Sequence, residues 1–243
     1  MPNAAHSHLS PDPLARLRLL HLADSALPIG ALAHSFGIET LAAEGLLSVA
    51  DLPEFFRGYL EEAGMIEAVF CRAAFRLACS GRARGEFAVA VWRELNERLN
   101  AFKAAREARA GSATLGRNFI LAVLALGNFP LLREALEAMR GSASGIHHGP
   151  AFGLAGGALD LEEDSVVLAY LHQSMAGAVS ACQRLLPLGQ TEATRILWDL
   201  KPAIAATAAA SAACEPSDAC CFMPLLDVGA MEHPALRTRL FVS

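Results

Sequence analysis

Apolar side chains recur at three- and four-residue steps along most of this chain of 243 residues, the spacing that places them on one face of an α-helix. The first long pattern is carried by Phe55, Tyr59, Ile66, Phe70, Ala73 and Leu77. Asp51 and Glu54 precede it and form a start signal of the capping-box type. Ser80 and Gly81 follow it and favour a stop. We therefore predict a helix over residues 53–79.

The same periodicity predicts further helices. Residues 86–110 carry one apolar stripe, formed by Trp92, Leu95, Leu99 and Phe102. Glu94 and Arg98, like Lys103 and Glu107, are four residues apart, as ion pairs along a solvated helix face are. The other helices are predicted for residues 112–126, 131–139, 161–185 and 191–213, the last with a kink at Pro202. Residues 141–150 have the Ser/Gly/His composition typical of a connection.

Composition agrees with an all-α fold, because Ala and Leu dominate whereas the strand-favouring Val, Ile and Thr are scarce. We predict a single-domain helical bundle of about eight to ten helices with an irregular C-terminal tail. Residues 1–13 are predicted to be a flexible N-terminal segment, residues 14–213 the helical domain, and residues 214–243 the tail.

Proline and glycine break any long period in the tail, at Pro216, Pro224, Gly229 and Pro234. Apolar residues nevertheless persist there, namely Phe222, Leu225, Leu226, Met231, Leu236, Leu240 and Phe241. An apolar tail of this kind either covers the core of its own chain or folds on binding a partner.

Charge and hydropathy disfavour several functions. The 20 basic and 25 acidic side chains give a net charge of −5, so the chain has no general attraction for nucleic acid. Hydrophobic residues make up 53% and charged residues 19%, which favours an oligomeric or partner interface. Polar or helix-breaking residues interrupt the uncharged stretches at 118–132 and 165–183, so no membrane span is predicted. Residues 1–13 lack the pattern of a secretory signal, and a cytoplasmic location is expected.

Motifs of common enzymes are absent from the sequence. It has no G-x-S-x-G elbow, no G-x-x-x-x-G-K-[ST] phosphate loop and no H-E-x-x-H, and no Glu is followed three positions later by His. The two lysines, Lys103 and Lys201, lie outside glycine-rich turns, which disfavours nucleotide hydrolysis. We expect a protein that is not an enzyme. The alternative is a helical enzyme with an unrecognised site around His34, Glu39 and His172.

Histidine and cysteine supply two candidate metal sites. Adjacent histidines in a glycine-rich connection, such as His147 and His148, are more often exposed to solvent than bound to metal. The tail holds a thiol and imidazole set without the paired C-x-x-C spacing typical of zinc, formed by Cys214, Cys220, Cys221 and His233. The cysteines are irregularly spaced and are expected to be reduced, with Cys71 and Cys79 packed as small hydrophobes. A metal-storage protein is a further alternative.

Three segments carry a more specific signal: residues 20–39 (LHLADSALPIGALAHSFGIE), residues 186–190 (LPLGQ) and residues 231–243 (MEHPALRTRLFVS). Taken singly, they are compatible with a turn, a helix N-terminus and a frayed chain end. Taken together and in this order, with LGRNF at residues 115–119, they resemble the urease accessory protein UreF family. The resemblance covers nearly the whole chain.

That resemblance implies a dimeric, all-helical scaffold without catalysis of its own. Such a scaffold joins a UreD/UreH-type accessory protein and a UreG-type GTPase, so that nickel is inserted into apo-urease as a transferred ion and not as a firmly bound cofactor. In the family the C-terminal segment orders on binding the UreD/UreH-type protein, and the residue matching Arg239 faces the GTPase. The partner-binding residues implied are Leu32, His34, Ser35, Gly37, Glu39, Pro187, Gly189, Gln190, His233, Arg237, Arg239, Leu240 and Phe241.

The chain departs from the family pattern at three places. Leu32 stands where an aromatic residue is common, which puts one GTPase contact in doubt. Pro234 replaces a Glu after the terminal His and changes the expected docking of the tail. Glu192 and Ala193 replace a common Asp-Gly and favour propagation of the helix. Tight, stoichiometric nickel binding by the isolated chain would instead indicate a nickel-storage protein.

Overall fold

The computed structural model describes residues 12–243, and within that range the secondary structure is entirely helical. The α-helical segments are α1 (Pro13–Leu22), α2 (Ile38–Ala43), α3 (Leu52–Tyr59), α4 (Met65–Arg84), α5 (Val89–Phe102), α6 (Arg106–Leu126), α7 (Pro130–Ala138), α8 (His148–Ala158), α9 (Glu163–Leu185), α10 (Gln190–Asp199), α11 (Lys201–Ala210) and α12 (Pro224–Glu232). A π-helical turn at Leu60–Gly64 joins α3 to α4, and Leu200 joins α10 to α11 in helical geometry. When segments that continue into one another are counted together, residues 12–243 form ten helices. This confirms the predicted all-α bundle of about eight to ten helices.

Most of the predicted flexible segment lies outside the described residues, and Pro13 already belongs to α1. The predictions for residues 131–139, 161–185 and 191–213 correspond to α7, to α9 and to α10 with α11. The break at Leu200 lies just before Pro202, as the predicted kink requires. None of the described helices is long and apolar enough to cross a membrane.

The first long helix starts and stops differently from the prediction. The capping box pairs Asp51 with Ser48 and not with Glu54, since the Asp51 carboxylate accepts the Ser48 amide at 2.9 Å and the Ser48 hydroxyl at 2.6 Å. The helix also continues through Gly81 to a left-handed Gly85, φ 70°. A Cβ at Gly81 would lie 3.3 Å from the Leu131 side chain, so this glycine permits close packing and does not end the helix.

The boundary between α5 and α6 was predicted at Gly111 and lies instead at residues 103–105. The Arg109 guanidinium donates to the carbonyl oxygens of Lys103 and Ala104 at 2.7 and 2.8 Å and so satisfies acceptors left free at the end of α5. The predicted Lys103–Glu107 pair is wrong, because the Lys103 ammonium turns inward to Glu67. The predicted Glu94–Arg98 pair is confirmed at 2.9 Å.

Helix α8 begins inside the predicted connection at residues 141–150 and continues to Ala158, through residues for which no element was predicted. Its glycines at 149, 153 and 157 form one face that lies directly on α4: a Cβ at Gly153 would be 1.8 Å from the Cys71 carbonyl oxygen, and one at Gly157 would be 2.6 Å from that of Phe75. The glycines therefore let two helix backbones approach closely, a role that propensity cannot distinguish from chain breaking. His148 opens α8 and is buried, as is His147, which corrects the expectation of an exposed pair.

The core lies between α4, α8 and α9 and around the aromatic side chains that are fully buried, Trp92, Phe56, Phe70, Phe119 and Phe152. Cys71 belongs to this core and Cys79 packs against it, both as free thiols, which confirms the expectation. Arg72 is buried within it and ties α4 to α9 and α11, because it donates to Glu163 at 2.7 Å and to the Ala208 carbonyl at 2.9 Å.

The tail is more ordered than predicted, because α12 forms within it and packs against α2. The contact passes through two glycines. A Cβ at Gly37, whose φ is 100°, would lie 2.6 Å from the Leu226 carbonyl oxygen, and one at Gly229 would lie 2.9 Å from the Gly37 carbonyl oxygen. Proline and glycine in the tail sequence thus shape a docked helix and do not prevent one.

Candidate partner-binding surface

Two of the three distinctive segments meet in the structure, since the last residues of the chain run alongside residues 33–36. The Val242 amide donates to the Ala33 carbonyl at 2.8 Å, and the main-chain oxygen of Ser243 accepts the Ser35 amide at 2.5 Å and the Ser35 hydroxyl at 3.0 Å. The Ser243 hydroxyl lies 2.7 Å from His34 Nδ1. Residues 233–243, here called the terminal segment, are therefore fixed to the N-terminal signature.

Glu39 is the acidic residue at the centre of this contact. Its side chain is 5% exposed, and its oxygens accept the amides of Leu240 at 2.6 Å and Phe241 at 3.2 Å. The second of these oxygens also lies 2.7 Å from His233 Nε2. One carboxylate on α2 thus positions three groups of the terminal segment.

His233 is completely buried and is bonded through both ring nitrogens. Its Nδ1 lies 2.7 Å from Glu107 Oε2, on α6, opposite the contact with Glu39. The other Glu107 oxygen accepts a hydrogen bond from Arg239 at 3.3 Å. Both nitrogens of His233 are therefore engaged by carboxylates, and within residues 12–243 no three His, Cys, Asp or Glu side chains are arranged to hold a metal ion, so the set of His233 with three tail cysteines does not form a metal site there.

Arg184, near the C-terminal end of α9, completes the contact. Its guanidinium donates to the Leu32 carbonyl at 2.6 Å and to the Leu240 carbonyl at 3.4 Å, and its carbon Cζ lies 4.0 Å from the centre of the Phe241 ring. Sequence reasoning missed the parts played by Arg184, Glu107 and Ser243. The only sequence signal for Arg184 was its position just before the LPLGQ segment.

The remaining predicted site residues do not join this contact. Pro187, Gly189 and Gln190 are exposed, and Gly189 precedes α10 as its N-cap. Arg237 is exposed and makes no hydrogen bond to another described residue. His172 is exposed on α9 and is not brought to His34 or Glu39, so the described residues do not assemble the enzyme site considered as an alternative.

A cavity of about 170 Å³ lies beneath α12 and is lined by residues of α2, α4, α5, α6, α8 and α9. Glu67 is on its wall, bonded to the Lys103 ammonium and to the Tyr170 hydroxyl, the latter at 2.8 Å. Burial alone would raise the pKa of Glu67, but the charge and hydrogen bonds of its partners leave that pKa below its usual range. Burial also lowers the pKa of His147 to about 3 and that of His148 to about 4, so both imidazoles are neutral near pH 7.

The outer side of the tail is apolar. Leu225, Val228 and Met231 are spaced three residues apart on α12 and are 47 to 54% exposed, whereas Leu226 and Ala230 face α2 and are buried. Further exposed apolar side chains of the tail and of the signature are Phe222, Leu240, Val242 and Leu32. We call these seven residues the tail surface. Large apolar side chains exposed on a segment that is itself held by buried polar groups are typical of a binding site for another protein.

The helical fold and the tail surface define an all-helical protein with an exposed apolar surface of the kind that binds other proteins. Comparison with known families gives its identity: the UreF family model matches residues 46–201. The chain is 30% identical to the urease accessory protein UreF of Corynebacterium glutamicum over 227 residues, covering 93% of this chain and 96% of the relative. It is 30% identical to that of Bradyrhizobium sp. over 242 residues, covering 100% and 98%, and 31% identical to that of Paracoccus denitrificans over 230 residues, covering 94% and 96%.

The chain belongs to the UreF family of urease accessory proteins. The resemblance carried by residues 20–39, 115–119, 186–190 and 231–243 is thereby confirmed. Membership of an accessory-protein family also confirms that the chain is not itself an enzyme.

Proposed function

We propose that this protein is a scaffold for nickel insertion, which bridges a UreD/UreH-type accessory protein and a UreG-type GTPase and so activates apo-urease. Family membership supports the role in urease maturation. The observation that carries the bridging role is the tail surface, which presents six exposed apolar residues of the tail beside Leu32 of the N-terminal signature, while Glu39 and His233 fix the inner side of the tail. In this proposal the UreD/UreH-type protein covers the apolar side chains of α12.

In this proposal the GTPase binds the neighbouring part of the tail, around Arg239. Arg239 is 43% exposed although one of its nitrogens contacts Glu107, so most of its donors are open to a partner. A guanidinium that is partly exposed beside apolar surface is a common energetic anchor in protein interfaces. Arg184 and Glu39 hold the main chain of the next residue, Leu240, and so limit the entropy lost on binding.

We further propose that the scaffold works in the cytoplasm as a homodimer and that nickel is its cargo. Metal affinity alone ranks metals wrongly, so delivery to urease requires that donor and acceptor proteins be held in register. A dimer presents two donors symmetrically. The high apolar content of the chain, 53% of residues, supports an interface of this kind. Size-exclusion chromatography with light scattering will test the dimer.

The test of the scaffold is restoration of urease activity in cells that lack their own F-type protein. We expect the full chain to restore activity and Val228→Glu to lose it, because a carboxylate on α12 disrupts an apolar interface. The matched control is Val91→Glu, which changes a similarly exposed valine, 45% against 54%, on α5. Co-purification with each partner shows which contact is lost. We expect Val228→Glu to lose the UreD/UreH-type protein and Arg239→Ala to lose the GTPase alone.

Equal loss with Val91→Glu, or full activity of Val228→Glu, would contradict the assignment of the tail surface. Absence of restoration together with absence of co-purification would contradict the scaffold role itself. Circular dichroism of each variant separates loss of binding from loss of folding.

A further inference from the structure

The imidazole of His233 is in an unusual electrostatic position, because a carboxylate oxygen lies 2.7 Å from each of its ring nitrogens. A carboxylate oxygen only accepts hydrogen bonds, and neutral imidazole has one donor and one acceptor. Only the imidazolium form donates from both nitrogens. In the neutral form one nitrogen lone pair would face the oxygen of Glu39 or Glu107 at 2.7 Å.

The groups around the ring form a balanced set of charges. Glu39 comes from α2, Glu107 from α6 and Arg239 from the terminal segment itself. From α9, Arg184 reaches Leu240 and Phe241 and not His233. Two carboxylates, one guanidinium and an imidazolium sum to zero, whereas a neutral His233 would leave one buried negative charge in excess. Uncompensated buried charge is strongly unfavourable.

Protonation of His233 is coupled to docking of the terminal segment, because the partners of His233 lie on other elements. When the terminal segment leaves α2 and α6, His233 reaches water and both carboxylates lose their contact with the imidazole. Glu39 at the same time loses the amides of Leu240 and Phe241. The docked state therefore binds more protons than the released state at a pH where free histidine is neutral.

We propose that His233 docks as the imidazolium and that this one proton positions the terminal segment, so that docking weakens as the pH rises. Glu39 and Glu107 are positioning residues in this arrangement. Because free histidine titrates near pH 6.5, the docking equilibrium constant falls by up to about tenfold for each pH unit above that value. The consequence for partner binding rests on the proposed function, but the linkage between proton and docking does not.

Two measurements on the full chain test the linkage. Ring nitrogen NMR of histidine-labelled protein near pH 7.5 is expected to show one imidazolium with both nitrogens protonated, which disappears in His233→Gln. Amide exchange of the terminal segment, corrected for intrinsic rates, is expected to lose protection by up to about tenfold per unit between pH 6.5 and 9. His233→Gln is expected to be less protected and to lack this slope, whereas His21→Gln, at an exposed position on α1, is expected to match the unaltered protein.

Glu107→Gln provides a second variant at a less buried carboxylate, 19% exposed, should His233→Gln fail to fold. It removes one negative charge beside the ring, so release of the terminal segment is expected to occur at lower pH. A neutral His233 signal at pH 7.5, or protection that stays constant from pH 6.5 to 9, would overturn the inference. Failure of the partners to bind at any pH would contradict the proposed function and leave the exchange result standing.

Discussion

At the scale of single residues, glycines determine where the tail lies, because they have no Cβ atom. A Cβ at Gly111, inside α6, would come within 2.9 Å of both His34 Nδ1 and the Ser243 hydroxyl. One at Gly37 would meet the main chain of α12. From the sequence alone, Gly111 indicated the end of a helix. Its actual role, to leave room for a segment more than a hundred residues away, depends on a long-range contact that local propensity does not contain.

Protonation of two buried histidines should make the fold sensitive to mild acid. The folded protein lowers the pKa of His147 to about 3 and that of His148 to about 4 by burial, whereas the unfolded chain titrates near the ordinary value of about 6.5. The unfolded chain therefore takes up these protons first as the pH falls. Stability is fully present above about pH 6.5 and is lost toward about pH 4, by up to about 1.4 kcal/mol per pH unit for each histidine.

Urea unfolding at a series of pH values checks this expectation. His148→Gln is expected to reduce the slope of the free energy of unfolding against pH by about one proton between pH 6.5 and 4. An unchanged slope would show that His148 is not responsible. The exposed His21 gives the control, since His21→Gln should leave the slope as it is.

At the scale of helices, α4 and α8 make the closest contact in the bundle, and glycines permit it. We expect Gly153→Ala to destabilise the protein by about 3 kcal/mol or more, because its Cβ would lie 1.8 Å from a main-chain oxygen that cannot move independently. Gly177→Ala on α9 is the control, because a Cβ there meets nothing within 4 Å and alanine favours the helix by about 1 kcal/mol. Chemical unfolding measures both variants. Similar stability of the two would contradict the close contact.

Most long helices were predictable because their apolar stripes follow the helical period over ten or more residues, as in α5 and α9. Helix α8 was not, since its interior packs on nearly all sides and leaves no stripe, and its glycines count against it in propensity. Helix α12 was not predicted either, for a related reason. Its nine residues include Pro224 and Gly229, and its stability comes from packing on α2.

At the scale of the whole molecule, the distinctive N-terminal and C-terminal segments form one surface although about two hundred residues separate them in the sequence. Their pairing was not predicted, because nothing in either segment specifies the other. The buried partners Glu39 and His233 were named among the site residues, but Glu107 and Arg184 belong to helices predicted for other reasons. Tertiary contacts of this kind cannot be derived from periodicity.

A scaffold that passes nickel on is expected to bind it weakly when isolated. Equilibrium dialysis of the purified chain should therefore show no stoichiometric nickel at metal concentrations near those of the protein. Addition of the UreG-type GTPase loaded with nickel should bring the metal into the complex. Tight nickel binding by the chain alone would favour the storage alternative over the scaffold.

The inward turn of Lys103 has a practical consequence for labelling. Of the two lysines in the sequence, Lys103 is only 20% exposed and is paired with Glu67, whereas Lys201 is exposed at the start of α11, 5.0 Å from the ring of Trp198. Among side-chain amines, an amine-reactive dye will therefore attach at one place on the folded protein. Trp198 is itself 68% exposed, so its fluorescence reports directly on the attachment. The unmodified chain thus offers a single labelling site for measuring assembly, on α11, just before the tail begins.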